Sequence, residues 1–327
     1  MNFFYIRVVF ALVVGSAFST ALQASEDFGY KITSNVVYGS GKITKDGSVL
    51  ERDLLMDVYA PSDQSQDKQY PAVVLVHGGA FHRGGLRQPP YTEAGAVHST
   101  MQDYAKLLAP LGYVCFVIEY RLVPEHPVPN LKPSSKGLLP YESAISDSGL
   151  ARTNFARGRM RLAPLAKQDK VLLWNGLLAA AEDLDTAILT IVDSAEEYGI
   201  DPTRIAAGGH SAGGTTVLNA AYGIGSPLKA IFPMSPAVTG FDFKDAIDSP
   251  QLPPMLVLMS QFDLAVVLEG VPSLLKIADK AKLQHNLVWV PGFPHFYPHG
   301  AVTLGDDGKR VSVGERIVEF LDLHLSQ

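Results

Sequence analysis

Short apolar runs separated by amphipathic stretches dominate the pattern of this chain. Apolar runs lie at 72–76, 113–118, 205–208, 230–232, 255–259 and 287–290. Their length is typical of strands that are buried on both faces of a sheet. Apolar residues with helical spacing lie at 101–111, 177–198, 271–284 and 313–325. This alternation predicts an α/β fold, in which helices cover both faces of a mostly parallel central sheet.

Two parts of the chain depart from this alternation. Extended segments at 31–38 and 49–59 flank the turn-forming Lys45-Asp46-Gly47, which predicts an antiparallel entry into the sheet. Residues 128–169 contain several prolines and serine-rich patches and follow neither a helical nor a strand period. A connection of this length is unusual in a compact domain unless it has a function. This segment leaves the carboxyl end of a predicted strand, and open α/β sheets place their functional sites at that edge. We therefore predict that the segment forms a cap over such a site.

The predicted cap contains a basic cluster. Its members are Arg152, Arg157, Arg159 and Arg161. Arginine side chains grouped in this way can bind a carboxylate or phosphate on a substrate. The favoured alternative is a solvated surface, or pairing with acidic residues elsewhere in a protein whose net charge is −6.

The first residues differ from the rest of the chain. Arg7 precedes the apolar run Val8–Val14, and small residues with possible cleavage sites after Ala21 and Ala24 follow. The run is too short for a stable membrane span, so we predict a signal peptide at 1–24 and a secreted or periplasmic domain at 25–327. An uncleaved N-terminal anchor is the alternative.

Composition narrows the possible classes of protein. A chain of 327 residues with 47% apolar and 18% charged residues is typical of a globular domain. Its pI of about 5.8 provides no basic field for nucleic acid, which we therefore do not expect as a partner. The lone Cys115 lies inside an apolar run and forms no internal disulfide, so we interpret it as core packing and not as a nucleophile.

A candidate nucleophile follows the run at 205–208. Gly209-His210-Ser211-Ala212-Gly213 matches G-x-S-x-G, and the helix-compatible stretch 214–222 comes next. A sharp strand-to-helix turn exposes the serine hydroxyl, and the flanking glycines let neighbouring backbone approach. We therefore predict Ser211 as the nucleophile, with the side chain of His210 pointing away from it.

A glycine-rich loop follows the run at 72–76. His77-Gly78-Gly79-Ala80-Phe81 can direct backbone N–H groups at an oxyanion. We predict that the N–H groups of Gly79, Ala80 and Ala212 form this oxyanion hole. The side chain of His77 is expected to fix the loop.

A serine hydroxyl needs a base, and the base needs an orienting acid. Asp263 follows the run at 255–259, and His295 follows the run at 287–290. Both therefore lie at the carboxyl ends of predicted strands, where open α/β sheets place their sites. We predict Asp263 as the acid and His295 as the base, with His299 as the alternative base.

Together these residues resemble the hormone-sensitive-lipase-like carboxylesterases of the α/β-hydrolase superfamily. The resemblance extends from about residue 70 to the end, and its blocks are 77–81, 120–127, 201–205, 209–214 and 292–296. It implies the α/β-hydrolase fold, the triad Ser211, Asp263 and His295, and a structural role for Tyr120–Pro127. The chain departs from the family pattern at Ala80, at His210, and in the roughly 50 residues that separate Pro129 from Glu182-Asp183.

The function expected from these features is that of a serine hydrolase. It would cleave carboxylic esters of small molecules through an acyl-enzyme intermediate, without a metal ion or another cofactor. Two alternatives stay open at this point. One is an exported serine peptidase of the same fold, and the other is a relative that binds a ligand without catalysis.

Overall fold

The computed structural model describes residues 29–65, 67–132 and 137–326, so the predicted signal peptide at 1–24 lies outside the described residues. The strands are β1 (Tyr30–Lys45), β2 (Ser48–Pro61), β3 (Tyr70–Val76), β4 (Tyr91–Glu93), β5 (Ala96–His98), β6 (Val114–Ile118), β7 (Ile200–His210), β8 (Ala230–Met234), β9 (Met255–Phe262), β10 (His285–Pro294) and β11 (Leu304–Gly305). The helices are α1 (Met101–Leu108), α2 (Tyr141–Ala144), α3 (Asp147–Arg159), α4 (Lys170–Asp193), α5 (Ala195–Tyr198), α6 (Ala212–Leu218), α7 (Phe243–Ala246), α8 (Ala265–Ala281) and α9 (Val313–Leu325).

Within the described residues, nine strands form one central sheet in the order β1-β2-β6-β3-β7-β8-β9-β10-β11. As predicted, β1 and β2 are antiparallel and join at the turn Asp46-Gly47. The strands from β6 to β10 run parallel to one another. Their carboxyl ends therefore share one edge of the sheet, and the predicted site residues follow four of these strands.

Helices cover both faces of this sheet, which confirms the predicted α/β architecture. Ala72, Val74 and Val76 of β3 pack into a core that also contains buried residues of α4, α6 and α8. The alternate residues Val73 and Leu75 pack into a second core with α1 and α9. This period of two explains the continuous apolar run, because both faces of the strand are buried.

Two helices begin earlier than their patterns predict. α4 begins at Lys170 and not at 177, and α8 begins at Ala265 and not at 271. In α8, Val267 and Val271 are buried one turn apart, but Pro272 inside the helix obscures this continuity in the sequence. Among the described residues, no helix has the length and apolar character that crossing a bilayer requires.

The segment 128–169 contains the helices α2 and α3, which the sequence pattern did not predict. Ser146 caps α3 by accepting a hydrogen bond from the amide of Gly149 at 3.0 Å. α3 buries only Leu150, Thr153 and Ala156, so its apolar stripe is too narrow to give a clear helical period. The segment is fastened to the loop after β8, since Leu139 N donates to Gly240 O at 2.9 Å.

The Tyr120–Pro127 block is hydrogen-bonded to α4, although the inserted segment 128–169 separates the two in the sequence. Arg121 is 2% exposed, and its NH2 group donates to Oδ1 of the buried Asp183 at 2.7 Å. NH1 of the same side chain donates to the carbonyl groups of Lys42 and Val128. These bonds join β1, the start of the insertion and α4, so the helix keeps its place despite the inserted residues.

Candidate active site

Ser211 occupies the turn between β7 and α6, with φ of 56° and ψ of −117°. Few non-glycine residues adopt this conformation, so surrounding contacts must hold it. The Ser211 amide donates to Met234 O of β8 at 2.8 Å. A Cβ atom at Gly213 would lie 2.0 Å from Val76 O, so only glycine lets α6 approach β3 this closely. The turn therefore presents the hydroxyl at the carboxyl edge of the sheet.

A continuous chain of hydrogen bonds joins the three predicted triad residues. The Oγ atom of Ser211 lies 2.8 Å from Nε2 of His295. Nδ1 of His295 lies 2.5 Å from Oδ1 of Asp263. His295 and Asp263 are buried, whereas Ser211 is half-buried and faces the cavity. The structure thus brings together residues that lie 84 and 32 positions apart in the sequence.

Asp263 is buried, but its carboxylate is surrounded by donors. Oδ2 accepts from the hydroxyl groups of Ser235 at 2.5 Å and Ser260 at 2.9 Å, and Oδ1 accepts from the amide of Leu264 at 2.8 Å. Burial opposes ionisation of this carboxyl, yet the hydrogen bonds from His295 and these donors outweigh it and hold its pKa below the ordinary value. Asp263 is therefore ionised at neutral pH and acts only as an acceptor.

The ionised carboxylate determines the tautomer of the imidazole. Because Asp263 can only accept, Nδ1 of His295 carries the proton that is donated to it. Nε2 then has a free lone pair, which can accept the hydroxyl proton of Ser211. This is the arrangement that a general base requires.

The predicted oxyanion residues belong to the loop after β3 and to the start of α6. Ala80 and Ala212 line the same cavity as the serine, and Ala212 begins α6, so its N–H group precedes the first bond within the helix. Gly79 lies at the start of the tight turn, with φ of 120°. Contacts hold both ends of this loop, since Tyr120 Oη donates to His77 O at 3.0 Å and Val123 N donates to Phe81 O at 2.8 Å. The Tyr120–Pro127 block thus braces the loop.

The other histidines named by the sequence have different surroundings. The ring of His77 stacks on Tyr120 with centroids 4.3 Å apart, which matches its expected place in fixing the loop. The side chain of His210 points away from Ser211, and its Nε2 lies 2.8 Å from His295 O. His299 packs against Tyr104, with ring centroids 6.1 Å apart. The imidazole within hydrogen-bonding distance of Ser211 is that of His295.

Sequence reasoning missed a buried polar network behind the triad. Ser235 links Asp263 to Tyr297, whose hydroxyl lies 3.1 Å from Ser235 Oγ, and the ring of His98 lies 4.2 Å from that of His210. Burial lowers the pKa of His98 to about 4, and that of His210 well below its ordinary value. Both rings are therefore neutral near pH 7 and do not repel a cation on His295.

One signal in the sequence could have identified Ser235. It directly follows the strand that lies between those preceding Ser211 and Asp263, so it shares their edge of the sheet. His98 gives no comparable signal, because the small hairpin of β4 and β5 that carries it has no apolar pattern.

A cavity of about 210 Å³ opens above Ser211. Its walls are mostly apolar. They include Leu139, Ile145 and Thr153 of the inserted segment, Leu173 and Leu177 of α4, and Val266 and Val267 of α8. Side chains of the inserted segment thus line the same cavity as Ser211 and His295. Within the described residues, no cluster of His, Cys, Asp and Glu side chains can hold a metal ion.

Comparisons with known proteins agree with this architecture. The BD-FAE family model, which describes an esterase/lipase-like family of α/β-hydrolases, matches residues 56–135. This range extends from β2 through the glycine-rich loop after β3 and includes the Tyr120–Pro127 block. A comparison with curated proteins found no match.

Several solved structures resemble most of the chain. Esterase 2 from Thermogutta terrifontis, phosphorylated by paraoxon, is 19% identical with a TM-score of 0.57, and the likeness covers 91% of this chain and 96% of that chain. The butyrate-bound form of this esterase is 18% identical with a TM-score of 0.55, covering 91% and 94% of the two chains. The chain therefore has the α/β-hydrolase fold.

Proposed function

We propose that this α/β-hydrolase is a serine esterase that cleaves carboxylic esters of small molecules through an acyl-enzyme intermediate. The observation that carries the proposal is the hydrogen-bonded chain from Asp263 through His295 to Ser211. It ends at a serine that lines a mostly apolar cavity. This arrangement supports nucleophilic attack on an acyl carbon.

The first half of the proposed reaction forms the acyl-enzyme. Ser211 Oγ attacks the ester carbonyl carbon while His295 Nε2 takes the hydroxyl proton. The N–H groups of the oxyanion loop and of Ala212 stabilise the negative oxygen, and each such donor contributes about 3–4 kcal/mol in comparable enzymes. The intermediate then expels the alcohol, which leaves with the proton from His295.

The second half releases the acid. His295 removes a proton from water, which attacks the acyl carbon, and Ser211 leaves with that proton. In both halves Asp263 holds the imidazole in place and stabilises its cationic form without becoming protonated. The neutral rings of His98 and His210 allow this cation to form beside them.

Two observations favour esters over peptides. A cavity of about 210 Å³ with apolar walls suits a small acyl or alcohol group better than an extended polypeptide. The similar esterase has been described both with butyrate bound and as phosphorylated by paraoxon. A ligand-binding role without catalysis is less favoured because all three triad residues are in hydrogen-bonding distance. Secretion or export to the periplasm stays a prediction from residues 1–24.

The test compares the wild-type protein with Ser211→Ala. The wild-type protein should hydrolyse p-nitrophenyl acetate and butyrate but not aminoacyl anilides, and a fluorophosphonate probe should label it. The variant should lose about 10⁶-fold in kcat, as loss of the nucleophile does in such a triad, and should resist labelling.

The matched control for this test is Ser273→Ala, at an exposed serine of α8. It should retain both hydrolysis and labelling. Retention of more than about a hundredth of wild-type activity by Ser211→Ala would show that another residue is the nucleophile. Faster cleavage of anilides than of esters would favour the peptidase.

A further inference from the structure

The catalytic cavity contains an unusual charge. Among the described residues that line it, Arg152 of α3 is the one permanently charged side chain, and no carboxylate lines it. The remaining walls are apolar or carry hydroxyl groups. A guanidinium in such a cavity is costly to desolvate unless it has a partner, so its surroundings need an explanation.

Aromatic rings hold Arg152 close to the triad. Its guanidinium carbon lies 5.6 Å from the ring centroid of Phe296, which directly follows His295. The rings of Phe296 and His295 are 5.0 Å apart. Phe155 contacts the same guanidinium at 5.2 Å. These contacts fix the position of the cation one aromatic ring away from the catalytic imidazole.

The partner of Arg152 neutralises it only in part. Arg152 NH2 lies 3.2 Å from Oε1 of the buried Glu93, and Arg83 pairs with Oε2 of the same carboxylate. Two cations therefore share one anion, and the three side chains together carry one positive charge. The Nε atom of Arg152 is shielded from solvent and has no acceptor among the described residues. The guanidinium therefore keeps a net positive charge that the anion of a ligand can neutralise.

The other arginines of the basic cluster have different environments. Arg157 Nε donates to Ala163 O at 2.6 Å, and its NH1 lies 3.1 Å from His82 Nε2, so this side chain stabilises the cap. Arg159 and Arg161 are exposed. Arg159 and Arg161 thus follow the alternative of a solvated surface, whereas Arg152 pairs with an acidic residue as that alternative also allowed, yet is the member of the cluster that lines the cavity.

We propose that Arg152 binds a carboxylate carried by the ester substrate, which makes the enzyme selective for anionic esters. A planar carboxylate matches the donor geometry of a guanidinium, and the apolar walls strengthen the attraction by excluding water. This inference rests on the proposed esterase function. It concerns specificity, because Arg152 takes no part in the bond-making steps described above.

The experiment compares anionic esters with neutral esters of matched length. Methyl hydrogen succinate against methyl pentanoate tests a carboxylate in the acyl part, and O-acetylglycolate against propyl acetate tests one in the alcohol part. Acid release in a pH-stat gives kcat/KM for each ester with the wild-type protein, Arg152→Gln and Arg152→Lys. Arg159→Gln, on the exposed side of the same helix, is the matched control.

We expect the wild-type protein to prefer the anionic member of at least one pair. Arg152→Gln should lower kcat/KM for that ester by about 10- to 100-fold, the usual effect of losing a charge-assisted hydrogen bond. The neutral ester should change less than about threefold, Arg152→Lys should recover part of the loss, and Arg159→Gln should behave as wild type.

Other results would overturn the inference. Equal losses on anionic and neutral esters would show that Arg152 only supports the structure of the cap. A wild-type protein that prefers the neutral member of both pairs would exclude anion selectivity while leaving the esterase function intact. Absence of hydrolysis of all four esters, with p-nitrophenyl esters also inert, would instead reject the proposed function.

Discussion

The buried surroundings of His295 hold the imidazole in the position that the proposed proton transfers require. Asp263 holds one nitrogen, Ser211 contacts the other, and His210 donates from Nε2 to the backbone carbonyl of His295. The ring and the backbone that carries it are thus both held. Of the two candidate bases, His295 contacts Ser211 and Asp263, whereas the ring of His299 packs on Tyr104.

The first variant pair tests this distinction between bases. His295→Ala should reduce kcat/KM for p-nitrophenyl butyrate by several orders of magnitude, because in the described part of the chain no other imidazole contacts Ser211 Oγ. His299→Ala should retain most of the activity, because its ring packs on Tyr104. Circular dichroism should show that both proteins are folded. The opposite ranking of activities would assign the base to His299.

At the scale of elements, the turn between β7 and α6 depends on close backbone contact. The helix that follows Ser211 packs against the end of β3, where a carbonyl group occupies the space that a side chain at position 213 would need. A neighbouring flexible side chain could move aside, but backbone in the centre of a parallel sheet cannot. The position of Ser211 and the stability of the core are therefore coupled at this turn.

Gly213→Ala should consequently destabilise the protein. The added Cβ would lie 2.0 Å from Val76 O, so we expect a loss of several kcal/mol in unfolding free energy or a sharp drop in soluble yield. The control is Gly158→Ala in α3, where a Cβ atom would meet nothing within 4 Å. It should be neutral or stabilising by up to about 1 kcal/mol. Similar urea midpoints for the two variants would contradict this account.

The elements also show what the sequence can and cannot predict. Strands buried on both faces appear as apolar runs. The residues after them are therefore assigned to one edge of the sheet, which was enough to predict that Ser211, Asp263 and His295 lie close together. α3 was missed because it buries a narrow stripe under a polar surface. The environment of Arg152 depends on Glu93 and Phe296, 59 and 144 positions away, and no local pattern encodes such contacts.

At the scale of the whole molecule, several neutral histidines are buried in one region. Burial lowers the pKa values of His77, His82 and His98 to about 4, and that of His210 well below the ordinary value. In the unfolded chain these groups titrate near pH 6.5. Between pH 6.5 and about 4 the unfolded state therefore binds more protons, so the stability of the folded state falls as the pH falls.

We expect the free energy of unfolding to decrease from pH 7 to pH 5, with an uptake of about three to four protons on unfolding near pH 5. Each group contributes at most about 1.4 kcal/mol per pH unit. Asp183 acts in the opposite sense because burial raises its pKa, but it is a single group. Urea midpoints at several pH values, and calorimetry in two buffers, measure the effect.

A matched variant connects this uptake to one residue. His98→Gln should reduce the number of protons taken up near pH 5 by about one. A stability that does not change between pH 7 and pH 5 would show that the buried rings already carry their protons in the folded state.

The hydrogen bonds that hold the inserted segment have a consequence for whether the protein acts on dissolved esters or on ester droplets. Leu139 is hydrogen-bonded to Gly240 and to the indole of Trp174, and the hydroxyl of Thr239 donates to Ala144 O, so the inserted residues over the cavity are held to the loop after β8 and to α4. Because these residues are held in place, substrate entry does not depend on an oil–water interface that displaces them. Dissolved, monomeric esters therefore reach the serine directly, and the rate should saturate below the solubility limit, with no jump when droplets form.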